Sequence, residues 1–270
     1  MTAATRAEGQ RRWAPRPLIA NRTARWLVRL LVLAYLAAVV ATVDVNWVRV
    51  AEGIERSGRL LGQFLRPDFA SRWSDSRIGI LESVTMSLVA TVAGVLIAIP
   101  VSLGAARNLA PLPLYLATRA YITLSRTFPE VIVAIVFVVM MGFGPFAGLL
   151  TLTFASVGFV AKLLAEDIED IDDGQLEAMR ATGATWWQVV AFAVVPQVMP
   201  RFVGLSVYRL DINFRESTIL GIVGAGGVGA TLTTAMSRYD FDSAGAILIL
   251  VIAIVLVLEY LSGYVRSAVR

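Results

Sequence analysis

The sequence contains neither cysteine nor histidine. The first absence removes disulfides and thiolate nucleophiles, and the second removes Ser/His/Asp triads and every histidine-containing zinc site. Charge is scarce as well: Asp, Glu, Lys and Arg make up 16% of the 270 residues, against about a quarter in soluble domains. Lys162 is the single lysine among 24 basic residues. No G-x-x-x-x-G-K-[ST] phosphate loop occurs, so any nucleotide hydrolysis must come from another chain. No catalytic residue, resident cofactor or metal-ligand set is assigned to this chain.

What remains is apolar. Hydrophobic residues reach 57%, and the windows 83–103, 131–161 and 217–237 carry no charge at all. Each is long enough to cross about 30 Å of hydrocarbon as a helix. Window 26–43 carries only Arg29. The net charge of +4 comes from arginines that flank the apolar runs, which marks them as topology signals rather than a nucleic-acid surface.

Six spans are expected in an all-α membrane protein. Arg6, Arg11, Arg12, Arg16, Arg22 and Arg25 precede the first, about Trp26 to Val43, and with no small-residue cleavage site after it the run reads as a retained span. Between Asp44 and Arg77, Trp47, Ala51, Ile54, Leu61 and Leu65 recur at helical spacing opposite Arg49, Glu52, Glu55, Arg56 and Arg59. That pattern belongs to an amphipathic helix, lying in a membrane interface or packed on the protein. A second span covers about Ile80 to Leu103. The uncharged stretch 131–161 is too long for one crossing and should break at Gly142, Gly144 and Pro145. Its first half should begin before Pro129 and be kinked by it, and its second half should end near Lys162. The acids from Glu166 to Asp173 must lie outside the bilayer. A fifth span falls between Pro196 and Gly221, and a sixth between Ala244 and Val265. Six crossings place both termini on one side, and the arginines at each end favour the cytoplasm. The division expected is 1–78, with a cytoplasmic arm, a first span and an external segment, and 79–270, the transport domain.

Between the fourth and fifth spans stand Glu177-Ala178-Met179, then Thr182-Gly183, then Val195-Pro196. Small Ala178 and Ala181 would let a short helix seat in a partner's groove, and Gly183 can take the positive φ that reverses a chain. Glu177 can cap the turn or pair with a partner's arginine, and the acids upstream can steer a basic docking surface. A plain surface hairpin is the bland alternative. The spacing resembles the cytoplasmic Glu-Ala-Ala loop of bacterial ABC-importer permeases, with Met179 for the second Ala and Val195 for the usual Leu. With it go Phe128-Pro129-Glu130, Gly142-Phe143-Gly144-Pro145-Phe146-Ala147-Gly148, Lys162-Leu163-Leu164-Ala165-Glu166, Tyr208 to Arg215 and Ile219 to Gly229. Over about residues 78–270 these resemble the phosphonate permease family.

The resemblance implies a type I importer fold and a homodimer in the bacterial inner membrane. It also implies two cytoplasmic ATPase subunits that bind ATP and Mg, and an external binding protein that delivers a phosphonate, phosphite or phosphate. Coupling would fall to the loop 166–196, through Leu176, Glu177, Ala178, Met179, Thr182 and Gly183. Charged groups inside a bilayer face a cavity or a partner, so Arg126, Glu130, Arg209, Asn213, Arg215 and Glu216 are the expected pathway residues. Arg126 with Glu130, Arg209 with Asn213, and Asp211 with Arg215 stand four apart and can pair on a helix face. The alternative for these groups is mutual satisfaction inside the bundle. An ion-gradient-driven anion transporter would also place charges in broken helices, but it does not account for the loop from Glu177 to Pro196. A lipid-acting enzyme would need paired carboxylates in a site. Gly224, Gly226 and Gly229 spell G-x-G-x-x-G, yet with no alternating strands around them they are expected to form a turn or a close helix contact.

Overall fold

The computed structural model describes residues 21–42 and 46–268. The basic arm at residues 1–20, Asp44 and Arg270 lie outside these. The chain divides into two compact units, Met1–Gly58 and Arg59–Arg270.

In the first unit, α1 (Arg22–Thr42) is long and apolar enough to cross a membrane, and none of its residues is buried. Asn21 starts it by accepting a hydrogen bond from the Thr23 amide at 3.1 Å. Helix α2 (Trp47–Phe64) begins in this unit behind Asn46, which accepts from the Arg49 amide at 3.1 Å. Trp47, Ile54 and Leu61 project from one exposed stripe. On the other side Arg56 pairs with Glu52 at 3.0 Å. The amphipathic pattern is therefore a real helix.

The second unit holds α3 (Trp73–Ala105), α4 (Leu112–Thr127), α5 (Glu130–Met141), α6 (Pro145–Glu169), α7 (Asp173–Ala181) and α8 (Trp186–Val189). A π-helical turn (Val190–Val194) leads into α9 (Val195–Leu220), and a 3-10 turn (Gly221–Val223) leads towards α10 (Gly227–Ser237) and α11 (Phe241–Ala268). No strand occurs among the described residues. Among the described residues of the whole chain, α1 included, five helical stretches have the length and composition of spans, or up to six if α4 and α5, bent 94° at their junction, form one span. At the centre runs α6, packed against α3, α4, α5 and α9. Much of its inward face is small, with Ala147, Gly148, Thr151, Ala155, Ser156 and Ala161 buried beside Leu152 and Val160. In a bilayer, where lipid is as apolar as leucine, such residues let helix backbones approach and gain dispersion contacts.

The break in 131–161 falls where glycine and proline require it, since Gly142 and Gly144 take φ of 90° and 141° and α6 opens on Pro145. Two expectations need correction. Pro129 does not kink a continuous helix but separates two. The ring of a proline forces the preceding residue out of the helical region, and Phe128 accordingly sits at φ −86°, ψ 129°. Helix α6 runs past Lys162 to Glu169, so three of the acids ride on its last turns. The uncharged window 217–237 is not one helix. Gly224, Gly226 and Gly227, at φ 87°, 77° and 76°, turn the chain from α9 into α10. Gly229 then lies against the Thr218 carbonyl, where a Cβ has no room. The glycine run is a turn and a helix contact, as expected.

Candidate functional site

Helix α7 is short and mostly exposed. Asp172 starts it, accepting from the Gly174 amide at 3.0 Å. At the other end the Gly183 amide donates to Arg180 at 3.0 Å and the Ala184 amide to Met179 at 3.4 Å. Those two bonds close a helix with a left-handed residue just beyond its cap, and Gly183 at φ 76° supplies it. Thr182 is the C-cap, its amide donating to Ala178 at 3.3 Å. The helix is amphipathic by position: Leu176 is buried and Met179 half-buried, while Glu177, Ala178 and Ala181 face outward.

The inward side chains enter a core shared with Ala106 after α3, Leu164 and Ile168 of α6, Val189 of α8, Ala193 and Val194 of the π-helical turn, and Val198 of α9. Polar ties reinforce it. Arg180 donates to the Asn108 carbonyl at 2.9 Å, and the Trp186 indole to Leu109 at 3.2 Å. Glu169 accepts from the Arg107 amide at 2.7 Å and pairs with Arg119 at 2.8 Å. These contacts join α7 to the ends of three spans. The acidic run is less free than its sequence suggests, because Glu169, Asp172 and Asp167, the last paired with Arg201 at 2.9 Å, hold internal partners.

A second feature is a cleft of about 450 Å³ within the spans, walled by Ser125 and Arg126 of α4, Glu130 of α5, Phe159 of α6, and Arg209 and Glu216 of α9. Arg209, Asn213 and Glu216 share one face of α9 by their spacing. Arg209 is buried, donating from Nε to the Ser156 hydroxyl at 2.9 Å and reaching Glu216 at 3.1 Å and Glu130 at 3.5 Å. Asn213, fully buried, donates to Thr91 at 2.8 Å and to Ser156 at 2.9 Å. Arg209 and Asn213 therefore meet through Ser156 and not directly. The guanidinium of Arg209 lies 5.3 Å from the Phe159 ring centre, and that of Arg126 lies 5.6 Å from the same ring.

The pairing expected between Arg126 and Glu130 does not form. The break at Phe128–Pro129 puts them on different helices, and Glu130 turns to Arg209 instead. Arg215 pairs with Asp211, as its spacing suggests, but neither lines the cleft. Sequence reading missed Thr91 and Ser156, since hydroxyls are common in spans and bond their own helix. It also missed Glu82 and Ser83, which accept from the Gly227 and Val228 amides at 3.0 and 2.9 Å. An acid at the edge of a span, with a glycine turn elsewhere whose amides need acceptors, was the available signal.

Comparison with known proteins places this architecture. A 46% identical relative over 202 residues, 74% of this chain, is the phosphate-import permease protein PhnE of Mycolicibacterium smegmatis, of which the chain spans only 38% of the length. The phosphite transport system permease protein PtxC of Stutzerimonas stutzeri is 39% identical over 80% of this chain and 78% of its own length. Among solved structures, an inward-facing MetNI methionine ABC transporter superposes with a TM-score of 0.63 at 26% identity, covering 71% of this chain and 94% of that one. Residues 90–270 match the family model described as binding-protein-dependent transport system inner membrane component. The chain belongs to that family, as a multi-span membrane component of a transport system.

Proposed function

We propose that this chain is the permease of an ATP-binding-cassette importer that carries a phosphonate or related phosphorus oxyanion, phosphite or phosphate, into the cytoplasm. The carrying observation is α7, an exposed nine-residue helix whose Leu176 is seated in a core common to three spans. Glu177, Ala178 and Ala181 offer a small, notched face to a cytoplasmic ATPase dimer, whose subunits bind ATP and Mg. Two copies of the chain enclose the path, an external binding protein delivers the cargo, and both termini lie in the cytoplasm. The names of the phosphate and phosphite relatives support the cargo class. The cleft lined by Arg126, Glu130, Arg209 and Glu216 supports an anion path. Asn213 holds Arg209's support in place, and Arg215 belongs to a structural pair. The ion-gradient alternative draws no support from these relatives.

The test is co-purification and uptake. Ala178→Trp fills the notch from an exposed position, so the chain should still accumulate in the membrane while its ATPase partner and its uptake of labelled methylphosphonate are lost. Full uptake by the chain without any ATPase would overturn the reading.

A further inference from the structure

The cleft contains two guanidinium groups and two carboxylates, and they are not equivalent. Arg209, from α9, is already claimed by Glu216 of its own helix, by Glu130 of α5 and by Ser156 of α6. Arg126, at the end of α4, makes no hydrogen bond or ion pair among the described residues, and its guanidinium lies over the Phe159 ring. It is exposed at the mouth. Glu130 meets Arg209 at 3.5 Å and lies within hydrogen-bonding reach of the Glu216 carboxyl, yet its side chain stays 33% exposed. A forked donor and an open acceptor thus stand on the same wall, one on each side of the Phe128–Pro129 break. From α6 the cleft receives Phe159 and Ala155, neither charged.

Guanidinium groups bind any oxyanion, but a carboxylate accepts hydrogen bonds and gives none. An anion without a proton that enters beside Glu130 meets lone pair against lone pair, while one with a remaining O–H can donate. Resting on the reading of the chain as a phosphorus-oxyanion permease, we infer that Arg126 and Glu130 form a donor–acceptor pair. That pair engages tetrahedral oxyanions still carrying an O–H, such as hydrogen phosphonates and hydrogen phosphates, and rejects sulfate. Selection then acts twice, once at the external receptor and again inside the permease.

The test uses the assembled permease and ATPase complex in nanodiscs without binding protein, read by 31P line broadening of methylphosphonate. Phosphate should relieve the broadening. Sulfate should not, nor should dimethyl phosphate, which matches the single charge of the methylphosphonate monoanion but has no O–H. Arg126→Gln should weaken binding about tenfold or more, as loss of a charge-assisted bond implies. Glu130→Gln, which puts a donor where the acceptor stood, should let sulfate compete; Arg209 keeps Glu216, so the fold is preserved. Equal competition by sulfate or dimethyl phosphate in the unmodified complex overturns the inference and requires no variant. If no broadening occurs although the full importer takes up methylphosphonate, this inference fails and the proposed function stands. If no phosphorus oxyanion is taken up at all, the proposed function itself fails.

Discussion

At the scale of single residues, the ion pairs inside the spans divide by what they leave behind when broken. Removing one partner of a buried pair strands the other charge and costs about 3–5 kcal/mol. Arg209→Gln strands both Glu130 and Glu216, so a loss of that order is expected, seen as a large fall in melting temperature of the lipid-embedded protein. Arg215→Gln strands only Asp211, which is buried and has one oxygen already without a hydrogen bond. Folded yield should drop, and adding Asp211→Asn should restore both yield and uptake. A double variant that folds but does not transport would return Arg215 to the pathway. These roles were only half legible. Spacing along one helix found Asp211 with Arg215, whereas Glu130 met Arg209 across 79 positions of sequence.

At the scale of elements, α7 was the most legible feature, because the residues that stand out in the sequence are the ones that build the helix. Ala178 and Ala181 are small where the face is exposed, Leu176 is large where it is buried, and Gly183 stands where φ is positive. Leu176→Ala should cost about 2–5 kcal/mol as a buried large-to-small change. Because the lost contacts join α7 to α6 and α9, it should also uncouple ATP hydrolysis from uptake while the ATPase remains bound. Loss of the ATPase with unchanged coupling in the residual complex would count against α7 as a lever. Gly183→Val should act on the same junction through backbone strain, since a β-branched residue is disfavoured at φ 76°. The π-helical turn from Val190 to Val194 lay beyond sequence reading, because its residues are as good in an α-helix.

At the scale of the whole molecule, distant segments of the second unit are tied outside the spans. Arg72, just before α3, donates to Asp240, between α10 and α11, at 2.7 Å, and the Asp68 amide donates to Asp242 at 3.2 Å. The hydrogen bond from Arg72 holds the Asp240 carboxyl below its ordinary value. A carboxyl depressed in the folded state adds stability at pH above its unfolded value, about 3.9, and loses it as pH falls through the folded value. Amide exchange around residues 66–73 and 238–244 should therefore accelerate on acidification below that point. Asp240→Asn should accelerate it at neutral pH and remove the acid step. An unchanged acid step in that variant would assign it to another group.

The sequence by itself determined the class. Apolar runs of spanning length force helices, because backbone groups in lipid must bond within their own segment. Glycine and proline fixed the breaks at 142–145, and the Glu177 to Pro196 spacing marked the loop. Which charges meet was decided only by tertiary structure. Helix periodicity reports neighbours on one helix, while Arg209, Glu130 and Ser156 come from three. The right angle at Phe128–Pro129 left Arg126 without a hydrogen-bond partner among the described residues at the edge of the cleft.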